Sequence, residues 1–96
     1  MNVWNFDQSE YWWDVASRSV HFDGACDGKR YVFAISDVAL NDYYKTADTK
    51  DNALSNYKFN MEEIENLAAK FASEVKANDD VPHYFITSKE FRMYMQ

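Results

Sequence analysis

Between residues 51 and 77 the side chains Leu54, Tyr57, Met61, Ile64, Ala68, Phe71 and Val75 recur at alternating intervals of three and four. That period gathers them into one stripe on a helix, and such a stripe must be covered by another apolar layer. The phase holds throughout, so one helix of about 40 Å is expected. Phe59 points away from the stripe, and Asn60 with Glu63 has capping-box spacing. A break, if there is one, falls there.

The rest of the chain supplies strands for this helix to cover. Val3–Phe6 reads as a short strand. Asp7 stands three residues before Glu10, so a helix from about Gln8 to Ala16 is expected, carrying Tyr11, Trp12, Trp13 and Val15. Arg18–Phe22 alternates as a strand. Asp23–Gly28, with Asp-Gly twice, reads as a hairpin turn. The return strand, Lys29–Ile35, is apolar on both faces and is therefore expected to be central or covered on both sides. Ser36 is placed to cap a helix over Asp37–Lys45, and Thr46–Lys50 is a loop. Pro82 opens a last strand, His83–Thr87. Thr87 with Glu90 then starts a C-terminal helix that buries Phe91. The predicted order is β-α-β-β-α-α-β-α. This is an α+β fold in which a small, mostly antiparallel sheet with a hairpin packs against one long amphipathic helix and shorter helices. With 96 residues in all, 1–96 forms one domain.

Charge narrows the function. Sixteen acids against ten bases give a net charge of −6, spread evenly along the chain, which repels nucleic acid and anionic lipid unless the bases cluster. Lys29, Arg30, Arg18 and Lys45 would have to gather, with Tyr31 and Phe33 as a stacking platform, for a nucleic-acid-binding role. No apolar run is long enough to cross a bilayer. The N-terminus lacks a basic start followed by an apolar run, and Cys26 is the only cysteine. The expected setting is a reducing cytoplasm, without membrane attachment.

Catalytic signals are lacking. His21, Cys26 and His83 are the classical nucleophile, base or soft-metal candidates, and no paired spacing preorganises them. No catalytic residue, metal ligand or cofactor is assigned. Glu62, Glu63, Glu65, Asp79 and Asp80 read as a solvated acidic surface that attracts a basic partner or, as an alternative, mimics phosphates. Lys58 with Glu62 and Lys70 with Glu74 have ion-pair spacing.

Trp13-Asp14, Arg18-x-Val20-x-Phe22, the Gly28 turn, Ile35-Ser36, Leu40, Ala53, Tyr57, Asn60, Ile64-Glu65 and Ala68 form a set. With the late strand, this set resembles a family of small proteobacterial proteins known as a domain of unknown function, sometimes labelled transcriptional regulator. The resemblance spans residues 3 to 88. It implies a compact α+β fold, a bacterial cytoplasmic setting and no assigned activity. The family usually has arginine after the helix asparagine, where Met61 stands here. Its pattern also turns Trp13 inward, which leaves Trp12 or Tyr11 partly exposed. Exposed Trp and Tyr are favoured interface anchors. The expected function is a non-enzymatic, acidic protein-interaction or regulatory module. Tyr11, Trp12, Glu62, Glu63 and Glu65 are its candidate contact residues, and a homodimer through Trp12 or a protein partner is expected. A nucleic-acid-binding regulator is the alternative.

Overall fold

The computed structural model describes residues 3–7 and 9–95. Within them the element order is β1 (Trp4–Asn5), β2 (Tyr11–Asp14), β3 (Ser19–Cys26), β4 (Lys29–Ser36), α1 (Asp37–Tyr43), α2 (Lys50–Phe59), α3 (Met61–Glu74), β5 (Tyr84–Ile86) and α4 (Ser88–Tyr94). The fold is α+β. β3 and β4 form an antiparallel hairpin at the centre of the sheet, and β5 runs parallel to β4 on one side. β1 and β2 share the other edge of β3. β1 lies beside Cys26 and Ala25, and β2 beside Phe22 to Ser19.

The hairpin is tighter than its sequence suggests. β3 runs through to Cys26, and only Asp27 and Gly28, at φ 53 and φ 79, make the turn. Two consecutive positive φ values match the twist of an antiparallel pair, and Asp-Gly suits them. The other Asp-Gly lies inside β3. Gly24 is needed there for space, since a Cβ on it would run into the Phe6 ring. Cys26 is therefore a buried strand residue and not a turn residue.

Strand alternation sorts the side chains into two faces. Val20, Phe22, Phe33, Ile35, Tyr84 and Ile86 point to the helices and join Leu40, Ala53, Tyr57, Ile64, Leu67, Ala68, Phe71 and Phe91 in one core. Phe33 stacks between Phe22 and Tyr84, with ring centroids 5.2 and 5.0 Å away. The opposite face, with Trp12, His21, Val32, Ala34 and Phe85, takes no part in this core. Of the two readings offered for its doubly apolar character, β4 takes the first: it is a central strand, between β3 and β5. The apolar residues of its second face are Val32 and Ala34, and no helix joins them to the core.

Two helix assignments are also corrected. The segment expected to be a helix over 8–16 contains instead the edge strand β2, Tyr11–Asp14, followed by a turn (Gln8 lies outside the described residues). Asp7 and Glu10 do not cap each other: Asp7 N donates to Asn5 Oδ1, and Glu10 N donates to Asp23 Oδ1. A Tyr-Trp-Trp run also favours a pleated surface over a helix. β2 then turns back into β3 through residues 15–18, where Arg18 takes a positive φ.

The long helix is two helices. Asn60 leaves helical geometry at φ −130, ψ 27, while its side chain donates back to Asn56 O. α3 ends at Glu74, three residues short of the expected end. A one-residue interruption does not spoil the stripe: Tyr57, Ile64, Ala68 and Phe71 are all buried. Lys58 and Glu62 fall on either side of the break. Neither that pair nor Lys70 with Glu74 is among the ion pairs of the described residues.

Local caps follow the sequence. Ser36 Oγ accepts from Ala39 N and starts α1, and Thr87 with Glu90 closes a full capping box on α4. The buried Asn41 ties the 46–49 loop to the helices. Its amide donates to Asp48 Oδ1 and Thr49 O and accepts from Thr46 Oγ1 and Asn56 Nδ2. All four bonds of a buried carboxamide are thereby made, so the group costs little.

Candidate interaction surfaces

The five residues singled out from the sequence fall in three places. Tyr11 and Trp12 are neighbours on a strand, so they point to opposite faces. Tyr11 is 37% exposed at the helix side and lies against Tyr57, ring centroids 5.0 Å apart. Trp12 is 41% exposed on the bare face and lies over His21 at 5.6 Å. Trp13 is half-buried against the core.

Glu62 and Glu63 come together with a residue that sequence reasoning passed over. Phe59, Asn60, Glu62, Glu63 and Asn66 line a solvent-open cavity of ≈ 320 Å³ at the α2–α3 break. The break creates it. A continuous helix would present Phe59 on a plain convex surface, whereas the step at Asn60 sets the ring, 79% exposed, beside the first turn of α3. The signal in the sequence was the phase violation itself: a large aromatic opposite the stripe is either a defect or a contact. Glu62 and Glu63 favour the positive end of the α3 dipole. Tyr44 O–H donates to Glu63 Oε1 at 2.6 Å, which fixes that carboxylate at the rim. Burial, then Glu63 itself, pushes the Tyr44 hydroxyl well above its ordinary value, so it stays a donor. Met61, at the position of the expected arginine, opens α3 and packs against the core.

Glu65 lies apart from the groove. It is half-buried, and burial, then Asp7 and Glu62, raise its carboxyl above the ordinary 4.5. A raised folded pKa means the charged form is penalised in the fold. Glu65→Gln is therefore expected to raise the melting temperature at about pH 7, where wild type carries the penalty in full. The advantage should shrink as pH falls through the raised pKa and vanish below the unfolded value of 4.5. Melts of both proteins across that range check it. A variant that is less stable at neutral pH would mean that Glu65 is held by an attraction instead.

The chemistry-bearing residues are kept apart. His21 and Cys26 stand on β3 with opposite parity, so one faces the bare side and the other the helices. His83 accepts from Val32 N through Nδ1 at 2.9 Å while its own N–H donates to Val32 O, a bracket that extends the β4–β5 pairing. His21 does have a carboxylate nearby, with Asp14 Oδ2 3.9 Å from Nε2. It is nevertheless buried beneath Trp12, and burial lowers its pKa against the pull of Asp14. Among the described residues, no three His, Cys, Asp or Glu side chains gather as a metal site.

Arg18 and Arg30 do not gather either. Arg18 pairs with Asp37 and Arg30 with Asp23, each at 2.7 Å. The two arginines stand at opposite ends of the β3–β4 hairpin, about 23 Å apart along the strands. Phe33 is buried and Tyr31 half-buried, both on the helix side, so they offer bases no platform. Glu62 and Glu63 sit at the start of α3, while Asp79 and Asp80 lie past its far end, about 20 Å away. The five acids expected to act together do not form one array.

The sequence matches the family described as "Protein of unknown function (DUF1488)" over residues 5–83. The chain belongs to the DUF1488 family. A solved relative has the same fold: a DUF1488 protein of unknown function from Shewanella loihica PV-4, 24% identical, with a TM-score of 0.64 over 81% of this chain and 84% of that one. No curated protein matches the sequence. The DUF1488 match takes in the hairpin, the helix break and all of α3. No described helix is long and apolar enough to cross a membrane.

Proposed function

We propose that this DUF1488 protein is a non-enzymatic interaction module of the bacterial cytoplasm, whose groove at the α2–α3 break receives a basic, apolar-tipped segment of a protein partner. The observation that carries this reading is Phe59. It is 79% exposed and flanked by Glu62 and Glu63, opposite a stripe whose Tyr57, Ile64, Ala68 and Phe71 are buried in the core. Covering a Phe side chain contributes about 1.5–3 kcal/mol. The carboxylates add little affinity at an exposed rim, but they steer a cationic segment in and turn an anionic one away. The separation of His21, Cys26 and His83 supports a role without chemistry, and the buried lone thiol suits a reducing compartment.

The expected result is a partner recovered in stoichiometric amount from the host by tagged wild type. It is lost or weakened at least about tenfold by Phe59→Ala, because one covered aromatic exceeds the 1.4 kcal/mol that tenfold represents. Glu62→Lys should weaken it as well, more so at low salt. Both side chains are exposed, so the melting temperature should hold. Equal recovery by wild type and both variants, or turnover of a metabolite in place of a partner, would contradict the reading.

A further inference from the structure

β2 leaves one edge of the sheet open. It pairs with β3 alone, and no described strand lies on its other side. The ladder starts at Glu10, whose carbonyl accepts from Asp23 N at 3.3 Å. Hydrogen-bonded pairs of an antiparallel ladder recur at every second residue. Trp12 and Asp14 therefore also turn their backbone groups to β3, and Tyr11 and Trp13 turn theirs outward. An edge of this kind is usually guarded by lysine, proline or a bulge. Tyr11–Asp14 contains neither residue, and its register along β3 runs without a bulge. The opposite edge, β5, is only three residues long.

The side chains along this edge define what fits beside it. Strand alternation puts Glu10, Trp12 and Asp14 in one row on the bare face, with Tyr11 and Trp13 on the helix side. Both acids of the row keep their charge. Glu10 is exposed and takes part in none of the ion pairs of the described residues. Asp14 accepts from the hydroxyl and N–H of Ser17, two neutral donors that hold its carboxyl below the ordinary 3.8. His21, 3.9 Å from Asp14, is biased to its neutral form by burial. The row is thus acid, exposed aromatic, acid.

A second copy of β2 does not suit this edge. The antiparallel register that satisfies all the outward groups sets Tyr11 opposite Trp13 of the other copy. It then brings Glu10 against Asp14 at both ends, and like charges directly opposite are destabilising.

We infer that the open edge of β2 is completed by an extended segment of a protein partner with the pattern basic, any residue, apolar, any residue, basic. Its N–H and C=O groups meet those of Tyr11 and Trp13. One basic side chain lies beside Glu10, the other beside Asp14, and the apolar one beside Trp12. The pattern is a palindrome, so it holds for a strand added in either direction. In this mode main-chain bonds supply the affinity and alternate side chains the choice of segment.

Amide hydrogen exchange followed by NMR tests this, with a synthetic seven-residue peptide in which threonine alternates with lysine, valine and lysine. In the free protein the amides of Tyr11 and Trp13 should exchange faster than those of Trp12 and Asp14, which β3 holds. Peptide at about 1 mM should slow Tyr11 and Trp13 at least about twofold, since half occupancy suffices for that. A copy N-methylated at its inner residues, and one with glutamate in place of lysine, should not. Trp12→Ala should weaken the peptide about two- to fivefold, and Glu10→Lys, at an exposed position, should weaken it most at low salt. Phe59→Ala should leave it unchanged. Tyr11 and Trp13 amides as slow as Trp12 in the free protein, exchange indifferent to the peptide, or equal binding by either altered copy would each overturn the inference. The groove at the α2–α3 break lies on the helix layer, so failure here leaves that site standing, and the reverse holds too.

Discussion

Ile64→Asp is expected to leave no folded protein at room temperature. Ile64 is 0% exposed on the buried side of α3. The substitution removes about 2–3 kcal/mol of apolar burial and places a carboxyl where water cannot reach. The group then pays several kcal/mol as an unpaired ion, or somewhat less by taking up a proton. A chain of this size holds only about 5–14 kcal/mol in total. Asn66→Asp, two residues on and facing solvent at the groove, should change stability by less than about 0.5 kcal/mol. Denaturant melts of the pair decide the point. If both variants unfold together, or neither does, the α3 stripe is not the face that carries the core.

Phe33→Ala should cost about 3–5 kcal/mol, the range for truncating a buried large aromatic. Phe33 is 0% exposed, and four rings surround it: Trp4 at 5.2 Å, Phe6 at 6.0 Å, Phe22 at 5.2 Å and Tyr84 at 5.0 Å. Those neighbours come from β1, β3, β5 and the segment after β1, so they cannot all close on the cavity without shifting the strands. The folded baseline should survive, with the urea midpoint lowered and the slope unchanged. A loss under about 1 kcal/mol would mean that the sheet and helix layers meet loosely at this point.

The parts of the fold legible in the sequence are those set by local chemistry. The α3 stripe, the Ser36 cap, the Thr87 and Glu90 box and the Asp27-Gly28 turn each depend on a few adjacent residues, and each forms. The edge strand β2 was not legible, because what makes it a strand is β3. The Asp23 carboxylate takes the Glu10 N–H, and Phe22 to Ser19 supply the pairing. Asp7 and Glu10 had the spacing of a cap, but that spacing carries no information about a better partner elsewhere. Gly24 shows the same limit, since its need for hydrogen in place of a side chain arises from Phe6, distant in sequence. The break at Asn60 left the phase of the stripe unchanged, so periodicity had nothing to register. Only Phe59, out of phase, marked it. Of the candidate contact residues, Glu62 and Glu63 stand together because they share a helical turn. Tyr11 and Trp12 were separated by the same misassigned segment, since helical neighbours diverge by about 100° and strand neighbours by a full reversal.

The groove is tested most directly by an amide NMR titration with two synthetic amphipathic peptides of equal length, one alternating lysine with leucine and one glutamate with leucine. The account predicts that the lysine peptide shifts Phe59, Asn60, Glu62, Glu63 and Asn66, that the shifts saturate and weaken as salt is raised, and that Phe59→Ala abolishes them. The glutamate peptide should leave those amides in place. Equal responses to the two peptides, or shifts confined to surfaces away from the α2–α3 break, would contradict it.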